Sequence, residues 1–269
     1  MNKTDIEVGE CVYGLVLEGG GGRGSYQIGA CKAIEERGLE IGMVAGTSVG
    51  ALNGAMVVQG EIDKAYGIWY ELNPNRVIKA VGDEMLSYIN GGLNPESLRT
   101  FIKGMRKVIY EGGLNVEPLE MLVKSVLNED VIRKSPIGFG VVTVDLTARK
   151  AVEIYKEEIP LGQLADYVIA SASFPAFKRT IIDGRFFIDG GFYNVLPVNL
   201  VSSKGYKDII VIRTFGLGMK RHIDTRRLNI TSIAPSVKLG STMDFSNETA
   251  RRNLKMGYED ACRVLEKLG

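Results

Sequence analysis

Apolar residues in the first sixty positions fall into short buried runs and into longer stretches with helical spacing. Val12–Leu17 is a short apolar run that ends at a block of glycines, as a buried strand does. Tyr26–Arg37 carries apolar residues three apart and is followed by Gly38, a typical helix stop. Ile41–Ala45 predicts a second strand, and Val49–Gln59 predicts a second helix. Strand, helix, strand, helix with short links predicts a parallel sheet covered by helices.

The rest of the chain continues this alternation with a less regular middle, and residues 73–135 could form a helical cap over a sheet edge. Further helices are predicted at Glu61–Leu72, Pro95–Ile109, Glu117–Leu127, Leu161–Ala172 and Asp244–Leu268. Further strands are predicted at Ile137–Leu146 and Ala151–Tyr155, in a hairpin over Thr180–Ile188 that turns at Asp183–Gly184, and at Asp208–Arg213, which we expect to be the last strand.

Composition narrows the range of functions. Hydrophobic residues make up 45% and charged residues 24%, as in ordinary globular proteins. The net charge of +1 argues against a nucleic-acid partner, which needs a broad basic face. Cys11, Cys31 and Cys262 are too widely spaced for a zinc site, and His222 is the only histidine, so we expect no metal and no cofactor.

The uncharged stretch Ile41–Gly60 has the length of a membrane span. Its five glycines and its polar residues lower the hydrophobicity, and it divides better into a strand, a sharp turn and a helix. The N-terminal residues contain no apolar signal core. We therefore expect a cytoplasmic protein without a transmembrane segment, with peripheral membrane contact left open.

Six residues directly after the first predicted strand form a glycine loop, which we define as residues 19–24. It contains the dinucleotide pattern G-x-G-x-x-G at Gly19, Gly21 and Gly24. The acidic residue that such a site needs at the end of the second strand is missing, and Ser25 stands where a P-loop needs lysine. The exposed N–H groups of such a loop would instead suit a developing negative charge, unless the loop is only a tight turn.

The second pattern is G-x-S-x-G between a predicted strand and a predicted helix, with Gly46, Ser48 and Gly50. This is the context of a nucleophile elbow, where the serine sits on a turn so sharp that only glycine fits two positions away on either side. The simpler alternative is that Ser48 merely caps the following helix.

The third pattern is Asp189-Gly190-Gly191, where a predicted strand ends at the edge of the sheet. Ligands collect at such edges in α/β folds, although a plain turn would have the same sequence. Six aromatic residues surround it and could line an apolar groove or belong to the core, namely Phe174, Phe177, Phe186, Phe187, Phe192 and Tyr193.

Together these motifs resemble the patatin-like phospholipase family. Its G-G-G-x-R/K-G loop, G-x-S-x-G elbow, A-S-x-x-x-P-x-F segment and D-G-G/A turn occur here in the same order. The third of them corresponds to Ala170–Phe177. The match is carried by residues 12–60 and 163–199. The resemblance implies an α/β/α three-layer sandwich with a mainly parallel sheet, spanning 12–205, with a tail at 1–11 and a C-terminal strand and helix at 206–269 packed on the same domain.

The resemblance also implies a serine hydrolase that cleaves lipid esters at a membrane surface without calcium. Ser48 would be the nucleophile and Asp189 the general base. Gly20, Gly21 and Gly22 would supply the oxyanion hole, with Arg23 behind them. The head group, the acyl position and the oligomeric state are not indicated by the sequence.

Two other readings remain open. Ser48, Asp189 and His222 stand in the chain order of an ordinary Ser-Asp-His triad, although His222 lies in a charged stretch that is typical of a solvated loop. A non-catalytic module that binds lipid or a partner could have kept the same fold. The basic stretch Arg213–Arg227 is interpreted as a solvated loop, with contact to lipid head groups as the alternative.

Overall fold

The computed structural model describes residues 12–74, 77, 114–175 and 177–267. The described strands are β1 (Tyr13–Leu17), β2 (Ile41–Thr47), β3 (Gly138–Asp145), β4 (Lys150–Tyr155), β5 (Thr180–Ile182), β6 (Arg185–Asp189), β7 (Asp208–Ile212) and β8 (Asn229–Ile233). The described helices are α1 (Gly24–Glu36), α2 (Val49–Gln59), α3 (Ile62–Tyr70), α4 (Glu117–Val126), α5 (Glu129–Lys134), α6 (Leu164–Ser171), α7 (Val198–Ser202) and α8 (Asn247–Leu265).

The strands form one mixed sheet whose pairings run β5-β6-β3-β2-β1-β7-β8. β2 and β6 pair with successive parts of one edge of β3, and β4 pairs with the opposite edge. The central strands β3, β2, β1, β7 and β8 are parallel to one another, whereas β4, β5 and β6 run antiparallel to their neighbours. The sheet is therefore mainly parallel, as predicted.

Helices cover both faces of the sheet, and alternate residues of β1 show why. Leu15 and Leu17 are buried in the cluster that includes residues of α1, α2 and α8. Val16 points to the opposite face and joins the cluster that contains Val198 and Val201 of α7. Since successive side chains of a strand alternate between faces, two apolar faces require two helical layers. The predicted α/β/α sandwich is confirmed.

The stretch Ile41–Gly60 divides into β2, one turn residue and α2, as the sequence predicts. Within the described ranges, no helix combines the length and the apolar character that a bilayer crossing would require. The predicted tail at 1–11, the predicted helix Pro95–Ile109 and most of the cap region lie outside the described residues. Inside the cap region, α4 and α5 are helical.

One element was placed wrongly by the sequence. Asp208–Arg213 was expected to be the last strand, but β8 follows it and pairs in parallel with β7 through all five residues. β8 is an edge strand in which only Ile233 is buried, so the sequence shows no apolar run of the kind that marks a central strand. The predicted helix at Asp244–Leu268 is α8, and its Leu254, Ala261 and Leu265 face the core.

Candidate active site

Ser48 occupies a sharp turn between β2 and α2. Its backbone has φ 58° and ψ −127°, a conformation that side chains rarely adopt. A Cβ on Gly46 would run into the carbonyl group of Gly50, and a Cβ on Gly50 would run into the carbonyl oxygen of Leu17. Glycine is therefore required at both positions, and the turn is an elbow rather than a simple helix cap.

The pairing of β3 with its neighbours explains why Ser48 and Asp189 meet. β2 occupies one edge of β3 as far as the pair Thr47–Val142. β6 continues along the same edge from the pair Asp189–Thr143, running in the opposite direction. The last residues of β2 and β6 thus lie beside consecutive residues of β3. Two chain segments 141 residues apart are brought together by the register of one strand.

The side chains of Ser48 and Asp189 are in direct contact. Ser48 Oγ donates a hydrogen bond to Asp189 Oδ2 at 2.6 Å, and the N–H of Gly191 donates to Asp189 Oδ1 at 2.7 Å. Burial raises the pKa of Asp189 to about 6, because a charged carboxylate is poorly solvated there, while the two hydrogen bonds oppose the shift. A Cβ on Gly190 would run into the carbonyl oxygen of Val142, so the backbone lies tight against β3.

The glycine loop passes beside this pair, but its N–H groups are not equivalent. The N–H of Gly22 donates to the carbonyl oxygen of Thr242 at 2.8 Å, and that of Arg23 donates to the carbonyl oxygen of Gly20 at 3.2 Å. Among the described residues, the N–H groups of Gly20 and Gly21 have no hydrogen-bond partner. Of the four residues expected to form the oxyanion hole, Gly20 and Gly21 therefore offer a free N–H in this conformation. The N–H groups of Gly22 and Arg23 already donate to carbonyl oxygens.

Arg23 connects the glycine loop to the C-terminal part of the chain. Its guanidinium donates to the carbonyl oxygens of Phe215 at 2.7 Å, Gly240 at 2.9 Å and Thr214 at 3.2 Å. These acceptors belong to two separate C-terminal segments. Arg23 therefore fastens both segments to the glycine loop.

Glu18, which the sequence analysis did not single out, holds the same region from the other side. It is fully buried, and its carboxylate accepts hydrogen bonds from the N–H groups of Thr214 at 2.8 Å and Phe215 at 2.9 Å. Arg213 and Lys220 lie within 3.0 and 3.6 Å of the same carboxylate. Arg213, at the start of the basic stretch, is thus tied to the end of β1. Residues 217–222 and 224–227 are an exposed loop, as the sequence predicts.

Ser171, at the end of α6, supports the elbow. Its hydroxyl accepts a hydrogen bond from the N–H of Ser48 at 2.9 Å and donates one to the carbonyl oxygen of Val142 at 2.6 Å. Ser171 is fully buried. Ser171 is the first serine of the A-S-x-x-x-P-x-F segment, so this segment supports the turn that carries Ser48.

A cavity of about 510 Å³ opens at Ser48 and Asp189. Its walls come from α2, α3 and α4 and from loop residues near 172–177, 191–195, 217–219 and 242–245. Nearly all the lining side chains are apolar, among them Leu52, Met56, Trp69, Leu119, Val123 and Phe245. Gly20 and Gly21 also line it, so the free N–H groups and the Ser48 hydroxyl share one space. Such a cavity suits a long hydrocarbon chain with one reactive polar end.

The six aromatic residues near Asp189 divide into two groups. Phe174, Phe177 and Phe192 line the cavity. Phe187 is buried elsewhere, against Tyr167 with ring centroids 5.8 Å apart, and Phe186 is 40% exposed. Tyr193 packs against the cluster that contains Val198 of α7. Half of the aromatic set therefore belongs to the site.

His222 lies on the surface, and within the described residues it makes no hydrogen bond to Ser48 or Asp189. Both oxygens of Asp189 already accept other donors. The described ranges also contain no group of three histidine, cysteine or acidic side chains placed to hold a metal ion. The geometry is that of a serine paired directly with an aspartate.

A family model, described as patatin-like phospholipase, matches residues 15–201. The chain belongs to the patatin-like phospholipase family. It is 29% identical over 201 residues to the human patatin-like phospholipase domain-containing protein 6. The aligned region covers 74% of this chain and 13% of that protein. It is 28% identical over 185 residues to an uncharacterized NTE family protein of Mycobacterium bovis, covering 68% of this chain and 44% of that protein. The chain therefore spans less than half of the length of these relatives.

Solved structures agree on the fold. VipD from Legionella pneumophila superposes with a TM-score of 0.58 at 16% identity, over 95% of this chain and 67% of that one. Human GIVD cytosolic phospholipase A2 superposes with a TM-score of 0.51 at 11% identity, over 96% of this chain and 60% of that one. At such low identities the likeness concerns architecture alone.

Proposed function

We propose that this protein is a serine lipid acyl hydrolase, which cleaves carboxylic esters of phospholipids or related lipids through an acyl-enzyme on Ser48. The observation that carries the proposal is the 2.6 Å hydrogen bond from Ser48 Oγ to Asp189 Oδ2 in the wall of an apolar cavity. Family membership makes a lipid ester the expected substrate class.

In the first half of the reaction, Ser48 Oγ attacks the ester carbonyl carbon while Asp189 takes up the hydroxyl proton. A serine hydroxyl is a weak nucleophile unless a base lies within hydrogen-bond distance, and Asp189 meets that condition. The carbonyl oxygen becomes an oxyanion, to which the N–H groups of Gly20 and Gly21 would donate. The intermediate then collapses, and the leaving alcohol departs with the proton held by Asp189.

In the second half, water attacks the acyl-enzyme and Asp189 again accepts the proton. The tetrahedral intermediate releases the fatty acid and returns the proton to Ser48. A base must be deprotonated before each attack and protonated before each departure. A carboxyl with a pKa of about 6 can do both near neutral pH, whereas an ordinary aspartate would be a weaker base.

We also propose that residues 12–205 form the acyl hydrolase domain and that 206–269 complete the same domain. β7 lies beside β1 in the middle of the sheet, and α8 packs along α1. The N–H of Gly22 is bonded to Thr242 from this C-terminal part. These contacts support a single unit.

The test compares wild-type protein with Ser48→Ala on a p-nitrophenyl ester and on mixed phospholipid vesicles. We expect Ser48→Ala to fold normally and to lose activity. An organofluorophosphonate should add one covalent group to wild-type protein and none to the variant, as measured by intact mass. Lipid profiling of the products identifies the ester that is cleaved.

A non-catalytic lipid-binding module would give no turnover and no covalent label in either protein. A Ser-Asp-His triad would give full labelling of the wild type but would lose activity in His222→Ala. Either result would overturn the proposed mechanism, and the second would leave the family assignment unchanged.

A further inference from the structure

Four apolar side chains are exposed together beside the glycine loop. Leu217 is 82% exposed, Met219 is 63%, Phe215 is 51% and Phe192 is 48%. Large apolar side chains that are exposed singly are common, but a contiguous group of this kind marks a binding surface.

Backbone hydrogen bonds fix this group against the active site. The N–H of Met219 donates to the carbonyl oxygen of Gly191 at 2.8 Å, and the N–H of Val195 donates to that of Met219 at 2.7 Å. Leu217, Met219 and Phe192 also line the cavity that contains Ser48. The exposed apolar surface therefore continues without interruption into the cavity.

The segment is also held in its exposed position. The N–H of Phe215 donates to the carboxylate of the buried Glu18, and the carbonyl oxygen of Phe215 accepts from Arg23. Phe215 has φ 51°, which turns the chain sharply at this point. The apolar side chains are thus presented on an anchored loop, which lowers the entropy that ordering at a partner surface would cost.

Basic residues flank the segment. Arg213 precedes it, and Lys220 and Arg221 follow it directly. The side chains of Lys220 and Arg221 are about half exposed, whereas their acidic partners Glu18 and Glu153 are buried and mostly buried. The charge exposed beside the segment is therefore in positive excess. Bilayers that contain anionic lipids attract such an excess.

We propose that Phe192, Phe215, Leu217 and Met219 form a membrane-docking surface that inserts into the interface of an anionic lipid bilayer. Bound in this way, the mouth of the cavity would face the acyl chains, and a chain could enter without crossing water. The identity of the substrate rests on the proposed function, but the docking itself is a separate property that can be measured without turnover.

The experiment is vesicle co-sedimentation of the 269-residue chain. One set of vesicles contains phosphatidylcholine alone, and the other contains phosphatidylcholine with one third phosphatidylglycerol. Wild-type protein should bind the anionic vesicles, and raising the salt concentration should weaken binding several-fold. Leu217→Ser should lower the partition coefficient about tenfold or more, because it removes one inserted apolar side chain.

Leu161→Ser is the matched control. Leu161 is 84% exposed, almost the same as Leu217. Leu161 lies in a turn that follows β4. The end of β4 is beside the amino end of β3, because the N–H of Lys156 donates to the carbonyl oxygen of Phe139. Ser48 instead follows the carboxyl end of β2, where β2 pairs with Val142 of β3. We expect this variant to bind vesicles within about twofold of wild type. Thermal unfolding of both variants checks that neither substitution affects the fold.

Equal vesicle binding by wild type and Leu217→Ser would overturn the proposal, as would no binding by either. Dimerisation that is lost in Leu217→Ser, measured by light scattering in the absence of vesicle binding, would assign the surface to a second copy instead. Vesicle binding by Ser48→Ala keeps this test independent of the proposed function. If the hydrolase proposal fails, soluble esters are not cleaved but docking persists; if docking fails, soluble esters are still cleaved.

Discussion

The N–H of Ser48 donates a hydrogen bond to Ser171 Oγ at 2.9 Å, and the same hydroxyl donates to the carbonyl oxygen of Val142 at 2.6 Å. Ser171 thus ties the strained residue of the elbow to the central strand β3. The backbone angles of Ser48 persist only if the surroundings enforce them. Ser171 is therefore a positioning residue, which acts on the reaction through Ser48.

Replacing Ser171 with alanine should slow the reaction. The N–H of Ser48 would lose its hydrogen-bond acceptor. The turn would then relax, and the hydroxyl oxygen of Ser48 would move away from Asp189. We expect kcat to fall about ten- to a hundredfold with little change in KM, since a small displacement of a nucleophile is costly. The free energy of unfolding should fall by about 1–3 kcal/mol. Steady-state kinetics and denaturant unfolding measure the two effects.

Ser173→Ala is the control for this prediction. Ser173 is also buried, and its hydroxyl bonds to Ile169 and to Thr180 but does not touch Ser48. Its substitution should destabilise the fold to a similar degree and leave kcat close to wild type. If both serine variants lost kcat in proportion to stability, Ser171 would have only a structural role.

Backbone strain at Ser48 predicts a difference between two inactive variants. Ser48→Gly removes the side chain that disfavours φ 58°, whereas Ser48→Ala keeps a Cβ there. We expect the glycine variant to be more stable than the alanine variant by about 1–3 kcal/mol. In most turns and helices glycine would instead lower stability, so denaturant unfolding of the pair tests the strain directly.

The pH dependence of the reaction should report Asp189. Only the deprotonated carboxylate can accept the proton of Ser48, and burial raises its pKa to about 6. We therefore expect kcat/KM to be low in acid, to rise through about pH 6 and to level off above it. A histidine base would give a similar profile. His222→Ala distinguishes the two, because the inflection should remain in this variant if Asp189 is the base.

Asp189→Asn should abolish activity and stabilise the protein at high pH. The folded-state pKa of about 6 is above the usual aspartate value of 3.8, so the free energy of unfolding falls as the pH rises from about 3.8 to about 6 and stays lower above it. Asparagine carries no charge and avoids this cost, which amounts to about 3 kcal/mol at most. At pH 4 the native carboxyl is protonated and the gain should be close to zero. Thermal unfolding at pH 4 and pH 8 measures the difference.

Substitution in the glycine loop should affect mainly kcat. A Cβ on Gly20 would press against the side chain of Thr214 and tilt the N–H that faces the cavity. Gly20→Ala should lower kcat about ten- to a thousandfold and change KM less, because the oxyanion exists only in the transition state. Gly67→Ala in α3 is a suitable control, since a Cβ there has open space. A raised KM with normal kcat would indicate ground-state binding instead.

The elements that could be predicted from sequence are those whose signal is local. The elbow at Ser48 needs glycine on both sides for steric reasons, and the turn at Asp189 follows an apolar strand. Both patterns are visible in a few consecutive residues. β1, β2 and α2 were predictable for the same reason, because they are buried and their ends are marked by glycine.

The features that were missed depend on contacts between distant segments. The acceptor that occupies the N–H of Gly22 comes from Thr242, and the donors that surround Glu18 come from Thr214 and Phe215. No spacing in the sequence indicates these pairs. β8 was missed because an exposed edge strand has little apolar content, and its place is set by hydrogen bonding to β7.

The stretch recognised as the family ends at residue 201, yet the glycine loop is held from beyond that point. Thr242 fixes Gly22, and Arg23 reaches the carbonyl groups of Thr214 and Phe215. A gene fragment cut at residue 201 would also strip β7 from β1 and leave the middle of the sheet as an open, aggregation-prone edge. Any shortened or transplanted version of this domain must keep the C-terminal quarter of the chain, because the sequence similarity ends before the part of the chain that the fold needs.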